Sequence, residues 1–220
     1  MEKIKMAERY GLAPFETHHE RYEAWFDRHE AAYLSELLAV RALLPWKGLG
    51  LEIGVGTARF GAPLGIAVGV DPAMAMLVSA VRRGVLGIQG IAEALPLKSA
   101  ICDYALAVTT ICFVDDPRSM LLEARRVLKP NAPLVIGFVD RESELGQQYF
   151  LHQAENVFYR EARFYSSDEV AGMLADTGYV IQTWMQTLCR PLKEIVEMES
   201  FHEGYGNGGF VAVLAIAPSS

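Results

Sequence analysis

The residues best placed for chemistry begin with a glycine loop, Glu52-Ile53-Gly54-Val55-Gly56-Thr57. Glycines at alternate positions let a backbone turn sharply and approach a ligand closely. A dinucleotide fingerprint would carry a third glycine at position 59, where this chain has Arg59. Glu52 lies two residues before the first glycine. A carboxylate at such a loop repels a pyrophosphate and suits a cationic group, such as the amino group of an amino-acid moiety. The loop therefore reads as built for a nucleoside-like ligand without phosphate, with a merely structural turn as the alternative. Asp71 follows Glu52 by 19 residues. An acid at that distance can take both hydroxyls of a ribose. It can also cap a helix opening at Pro72, and the two roles are compatible. Ala92 and Glu93 stand where an adenine edge can be met.

Parallel strands covered on both faces are expected to position these groups, because the apolar runs 49–53, 66–70, 85–88, 104–109 and 134–139 are nearly unbroken. Helical segments at 73–83 and 118–128 alternate with them, and Asp116 and Pro117 suit the start of the second. The repetition predicts an α/β, doubly wound sheet. Before it, Thr17 and Glu20 have capping-box spacing, and Tyr22, Trp25, Phe26 and His29 share one helix face. A second helix carries Tyr33, Leu37, Val40 and Leu44 in phase up to Pro45. In the last third, 148–160 reads helical, and Ser166 with Glu169 forms another capping box. The stretches 179–188 and 210–217 read as a closing antiparallel pair.

Taken together, Glu52-x-Gly54-x-Gly56-Thr57, Val68-Gly69-Val70-Asp71, Gly90-x-Ala92-Glu93-x-Leu95-Pro96-Leu97, Asp103-Tyr104 and Leu128-Lys129-Pro130 resemble class I S-adenosylmethionine (SAM)-dependent methyltransferases. The likeness is strongest to their small-molecule branch of ubiquinone/menaquinone-biosynthesis type, and spans roughly 49–138. It implies a Rossmann-like seven-stranded sheet, mostly parallel, with a reversed last hairpin. It implies SAM as cofactor, at Glu52, Gly54, Val55, Gly56, Thr57, Asp71, Pro72, Ala92, Glu93 and Thr109. Ala58 replaces the family's third loop glycine, and Asn131-Ala132 its Gly-Gly turn. Asn tolerates left-handed geometry, so the turn should survive. Gly61, Pro63 and Gly65 predict a very short first helix.

On the acceptor side, the expected contacts are Tyr22, Trp25, His29, Phe113, Tyr149 and Tyr159, each of which also has an ordinary packing explanation. No catalytic base stands out, and the nucleophile is left open among oxygen, nitrogen and carbon. The amino-terminal helices, 17–44, are expected to cover the pocket, because their aromatic face must bury itself. One domain is expected over 1–220, with a helical lid (1–45), a cofactor core (46–140) and an acceptor-side region (141–220). Alternatives are an NAD(P)-dependent oxidoreductase and a non-catalytic SAM-binding protein.

Composition narrows the partners. Hydrophobic residues make up 51% and charged residues 21%, which excludes a disordered chain. The net charge of −7 disfavours a nucleic-acid substrate. The five histidines show no metal-ligand spacing, so no metal is expected. Cys102, Cys112 and Cys189 form no even disulfide framework. Residues 1–10 carry five charges and no apolar run, so a cytoplasmic protein without membrane association is expected. Oligomeric state is not legible.

Overall fold

The computed structural model describes residues 13–45 and 47–217. Eight strands form one sheet: β1 (Gly50–Ile53), β2 (Val68–Asp71), β3 (Leu86–Gln89), β4 (Tyr104–Val108), β5 (Pro133–Val139), β6 (Val180–Thr187), β7 (His202–Glu203) and β8 (Phe210–Ile216). Their order is β3-β2-β1-β4-β5-β8-β6-β7. The first five are parallel, and β8 enters antiparallel between β5 and β6. The sheet has one strand more than the seven expected. The addition is the two-residue β7, paired with Met185 and Gln186 at the edge. It is too short to leave a hydrophobic pattern.

The helices are α1 (Ala13–Thr17), α2 (His19–Arg28), α3 (Glu30–Leu43), α4 (Gly61–Leu64), α5 (Met74–Arg82), α6 (Pro117–Val127), α7 (Glu144–Leu151) and α8 (Ser167–Asp176). Asp116 caps α6 by accepting from the Arg118 amide, and Ser166 and Glu169 complete a capping box on α8. The expected box at Thr17 is absent. Thr17 ends α1, its hydroxyl donating to the Ala13 carbonyl at 2.7 Å, and α2 opens after His18 without a side-chain cap. The helix expected over 148–160 is shorter and earlier: α7 stops at Leu151, followed by a 3-10 turn, Gln153–Glu155. Its start is set by Ser143, whose hydroxyl accepts from the Gly146 amide.

Alternating residues of each central strand feed opposite layers. Leu134, Ile136 and Phe138 pack with Met120, Leu121, Val170 and Leu174 of α6 and α8. Val135 and Val139 pack with Leu106, Val40, Leu43 and Phe210. Thus the later part of α3 packs in the core against the sheet, whereas α1 and α2 lie over the strand ends. The expectation that 17–44 would act wholly as a cover is corrected to that extent. The reason is that Val40 and Leu43 find a deeper apolar surface on β5 and β8 than at the rim. No helix among the described residues is long and apolar enough to cross a membrane.

Candidate active site

The loop after β1 is forced into left-handed geometry. Gly54, Gly56 and Ala58 have φ of 70°, 50° and 62°. A Cβ on Gly54 would lie 2.3 Å from Thr110 Oγ1, so only glycine fits there. Ala58 takes the same conformation that glycine would, and Asn131 does so at φ 61°, as the turn after Pro130 requires. The short helix α4 follows, as the poor helix formers dictate.

Asp71, at the end of β2, ties this loop to the next helix. One carboxylate oxygen accepts from the Gly56 amide at 2.8 Å and the other from the Ala73 amide at 2.9 Å. Burial nevertheless pushes its carboxyl up to about 6, against the pull of those two amides. A carboxylate offers about four lone-pair positions, so two remain for a ligand's hydroxyls.

A cavity of about 270 Å³ opens above the strand ends. Of the residues expected at the cofactor, Gly54, Gly56, Asp71, Pro72, Ala92, Glu93 and Thr109 line it. Three do not. The Val55 side chain turns against Gly69 and packs with Leu77 and Ala80. Thr57 is buried, with its carbonyl accepting from Arg83. Both alternate with the cavity-facing glycines, so their side chains point away. Glu52 is buried behind the loop beside Gly61, and burial drives its carboxyl well above the usual range. One of its oxygens has no hydrogen-bond partner. Its side chain lies behind the loop rather than among the groups that line the cavity. Glu93 also acts as a brace: it accepts from the Asp115 amide at 2.8 Å and ties the loops after β3 and β4 together.

The opposite half of the cavity is aromatic. Tyr22, Trp25, Phe113, Tyr149 and Tyr159 line it as expected, joined by Phe15 and Phe158. Phe113 stacks on Tyr159 and Tyr149 stacks on Tyr159, at centroid distances of 5.8 and 5.2 Å. His29 is not among the lining residues. It sits at the break between α2 and α3, stacked on Trp25 at 5.0 Å, with Nδ1 3.2 Å from the Trp25 carbonyl. Its pKa is lowered by burial and by Arg28.

Charge pairs fasten α1 and α2 to the cofactor side. Glu23 binds Arg59 at 2.7 Å and also Arg83, while Arg59 reaches Asp27 at 2.9 Å. Burial opposes ionisation of Glu23, but the Thr57, Arg59 and Arg83 side chains beside it outweigh that and hold the carboxyl low. Glu16 accepts from the Met74 and Ala75 amides at 2.7 and 3.1 Å, capping α5 from outside. The arginine that breaks the dinucleotide pattern is thus spent on holding down α2.

One residue of the wall went unnoticed in the sequence. Glu36, on α3, lines the cavity and is 5% exposed. The signal was present: Glu36 lies three residues after Tyr33 and four before Val40, a carboxylate on an otherwise apolar helix stripe.

The arrangement fits the expected cofactor: a side-chain-free cradle at Gly54 and Gly56, a buried acid at the end of β2, the loop arginine paired with Glu23 and Asp27, and an aromatic compartment beyond. A methyltransferase-domain model matches residues 51–136. A solved structure from Thermotoga maritima, a SAM-dependent methyltransferase described as a possible histamine N-methyltransferase, is 48% identical with a TM-score of 0.90. That match covers 92% of this chain and 97% of the other. An uncharacterised protein of Methanocaldococcus jannaschii is 40% identical, covering 91% of this chain and 97% of its own length. One from Mycobacterium tuberculosis is 38% identical over 89% of this chain and 70% of its own length. With the cradle, the sheet order and these relatives in agreement, the chain belongs to the SAM-dependent methyltransferases and is an enzyme that uses SAM as its cofactor.

Proposed function

We propose that the protein methylates a small molecule held in the aromatic half of the cavity, in the cytoplasm, with the cofactor held by Gly54, Gly56, Asp71, Ala92, Glu93 and Thr109. The observation that carries this reading is that one cavity of about 270 Å³ is shared by the glycine loop with Asp71 and by Tyr22, Trp25, Tyr149 and Tyr159. Bound SAM supplies an electrophilic methyl on a good leaving group. The protein's work is then to align an acceptor, keep water out and give the acceptor's proton somewhere to go. Asp71 holds a ribose in fixed position through its two anchored oxygens. Thr109, at φ 49°, follows β4 and breaks from extended geometry at the cavity wall, its amide still donating to the Gly137 carbonyl of β5 at 2.7 Å. Phe15, Tyr22 and Phe158 meet edge to face or tilted, at centroid distances of 5.4 to 6.2 Å, and close the compartment. This roof is small and apolar, which supports a small acceptor over a nucleic acid, as does the net charge of −7. Histamine, the acceptor in the Thermotoga maritima protein's description as a possible histamine N-methyltransferase, is likewise small.

Incubation with methyl-tritiated SAM and a size-fractionated cell extract tests the proposal. Label is expected in a new product that passes a small-pore membrane and separates from unreacted SAM by chromatography. Transfer confined to RNA or protein would overturn it.

A further inference from the structure

We infer that the acceptor carries an amino group that is recognised as its ammonium cation, and that Glu36 is the residue that selects it. The inference rests on reading the aromatic half of the cavity as the acceptor pocket.

Glu36 is buried on α3, and among the described residues no hydrogen bond or ion pair engages its carboxyl group. A buried carboxyl without a partner costs stability, and an apolar side chain would serve the core better at this helix position. Neighbours on the same stripe, Ala32, Ala39, Val40 and Leu43, do serve it that way. The exception opens on the cavity rather than into the packed core. A carboxyl aimed into a ligand cavity lacks only a partner that enters with the ligand, and the partner of a carboxylate is a cation.

The surroundings fit the same occupant. Trp25, Tyr149 and Tyr159 share the cavity with Glu36, and aromatic faces attract cations. Tyr22, Tyr149 and Tyr159 feel the Glu36 charge, and burial holds all three in the protonated, uncharged form. Asp71 and Glu93 are the other acids of the wall, and both already accept backbone amides. Arg21 and Arg28 also border the cavity, but neither forms an ion pair with Glu36 among the described residues. The aromatic compartment therefore has one carboxyl without a partner and no cation bound to it.

Burial alone pushes the Glu36 carboxyl up to about 8, so near neutral pH it is protonated until a cation arrives. Seating an ammonium group then displaces that proton to solvent. Affinity should rise by up to about tenfold per pH unit as pH climbs toward 8, and level off between there and the amine's own pKa, near 10. A carboxyl with a purely structural role would give neither effect.

The test titrates phenethylamine, cyclohexylamine and butylamine by calorimetry, each against the alcohol of the same skeleton. Titrations are run with and without S-adenosylhomocysteine, in two buffers of different ionisation enthalpy. At least one amine is expected to bind about tenfold or more tightly than its alcohol, releasing close to one proton at pH 7. Glu36→Gln should abolish both the preference and the proton release while leaving S-adenosylhomocysteine binding within about twofold. The inference is overturned if amines and alcohols bind alike, if neither binds, or if the preference survives in Glu36→Gln. Failure of S-adenosylhomocysteine to bind would instead count against the cofactor site itself, so the two failures are distinguishable.

Discussion

Asp71→Ala is expected to weaken S-adenosylhomocysteine binding by at least about tenfold. Hydrogen bonds to a charged group are worth about 1.5–3 kcal/mol each, so losing even one costs roughly a factor of ten. The structure adds a second cost, because the same carboxylate anchors the amides of Gly56 and Ala73. Removing it leaves the loop and the start of α5 without their common acceptor. The wild-type protein should also show a pH dependence that the variant lacks. Burial pushes this carboxyl up to about 6, and only the ionised form accepts from both ribose hydroxyls. Binding should therefore weaken as pH falls through 6, and calorimetry between pH 5 and 7.5 would show it. For stability the sign is opposite. A carboxyl raised in the folded state contributes stability that is present at low pH and is lost as pH rises through 6. A dissociation constant within twofold of wild type would reduce Asp71 to a backbone clamp.

Gly54→Ala is expected to be the most damaging single change in the loop. The residue needs φ of 70°, and its Cβ would lie 2.3, 2.4 and 2.9 Å from Thr110 Oγ1, Cγ2 and Cβ. Thr110 cannot swing away freely, since its hydroxyl donates to the Ile53 carbonyl at 3.0 Å and the residue is buried. Left-handed geometry costs about 1–2 kcal/mol and overpacking about 1–3 kcal/mol. At roughly 2–4 °C per kcal/mol for a chain of this size, Tm should fall by about 5–15 °C, and cofactor binding should be lost. Gly65→Ala is the matched control. Its φ is 75°, yet no atom lies within 4 Å of the added carbon. It should lose only the backbone share, about 2–8 °C, and bind S-adenosylhomocysteine normally. Equal behaviour of the two variants would show that the Thr110 contact is irrelevant.

How much the sequence disclosed follows from what each residue's neighbours in the chain could say about its surroundings. The parallel strands were legible because both faces are covered, which leaves unbroken apolar runs in β1, β4 and β5. Gly54, Gly56 and Asp71 were legible because loop geometry and strand ends are local. That the side chains of Glu52, Val55 and Thr57 turn away from the cavity was not legible, because motif membership does not say on which side of a loop a side chain emerges. The Thr17 box failed because a break at His18 separates α1 from α2, and nothing in the residue types marks it. The set of Trp25, Tyr149 and Tyr159 brings together two distant stretches of chain, so composition suggested the set without fixing its geometry. Glu36 was legible as a carboxylate out of place in an apolar stripe, but not as a cavity residue, because the cavity it faces is built by segments distant in the chain. Arg59 was read for what it excludes, and its pairing with Glu23 and Asp27 depends on a helix 32 to 36 residues earlier.

The most direct test of the central claim is a calorimetric titration of the purified protein with S-adenosylhomocysteine and, separately, with NAD. The account predicts saturable binding of the nucleoside at one per chain and no measurable heat with NAD. Tight binding of NAD with no response to S-adenosylhomocysteine would contradict it.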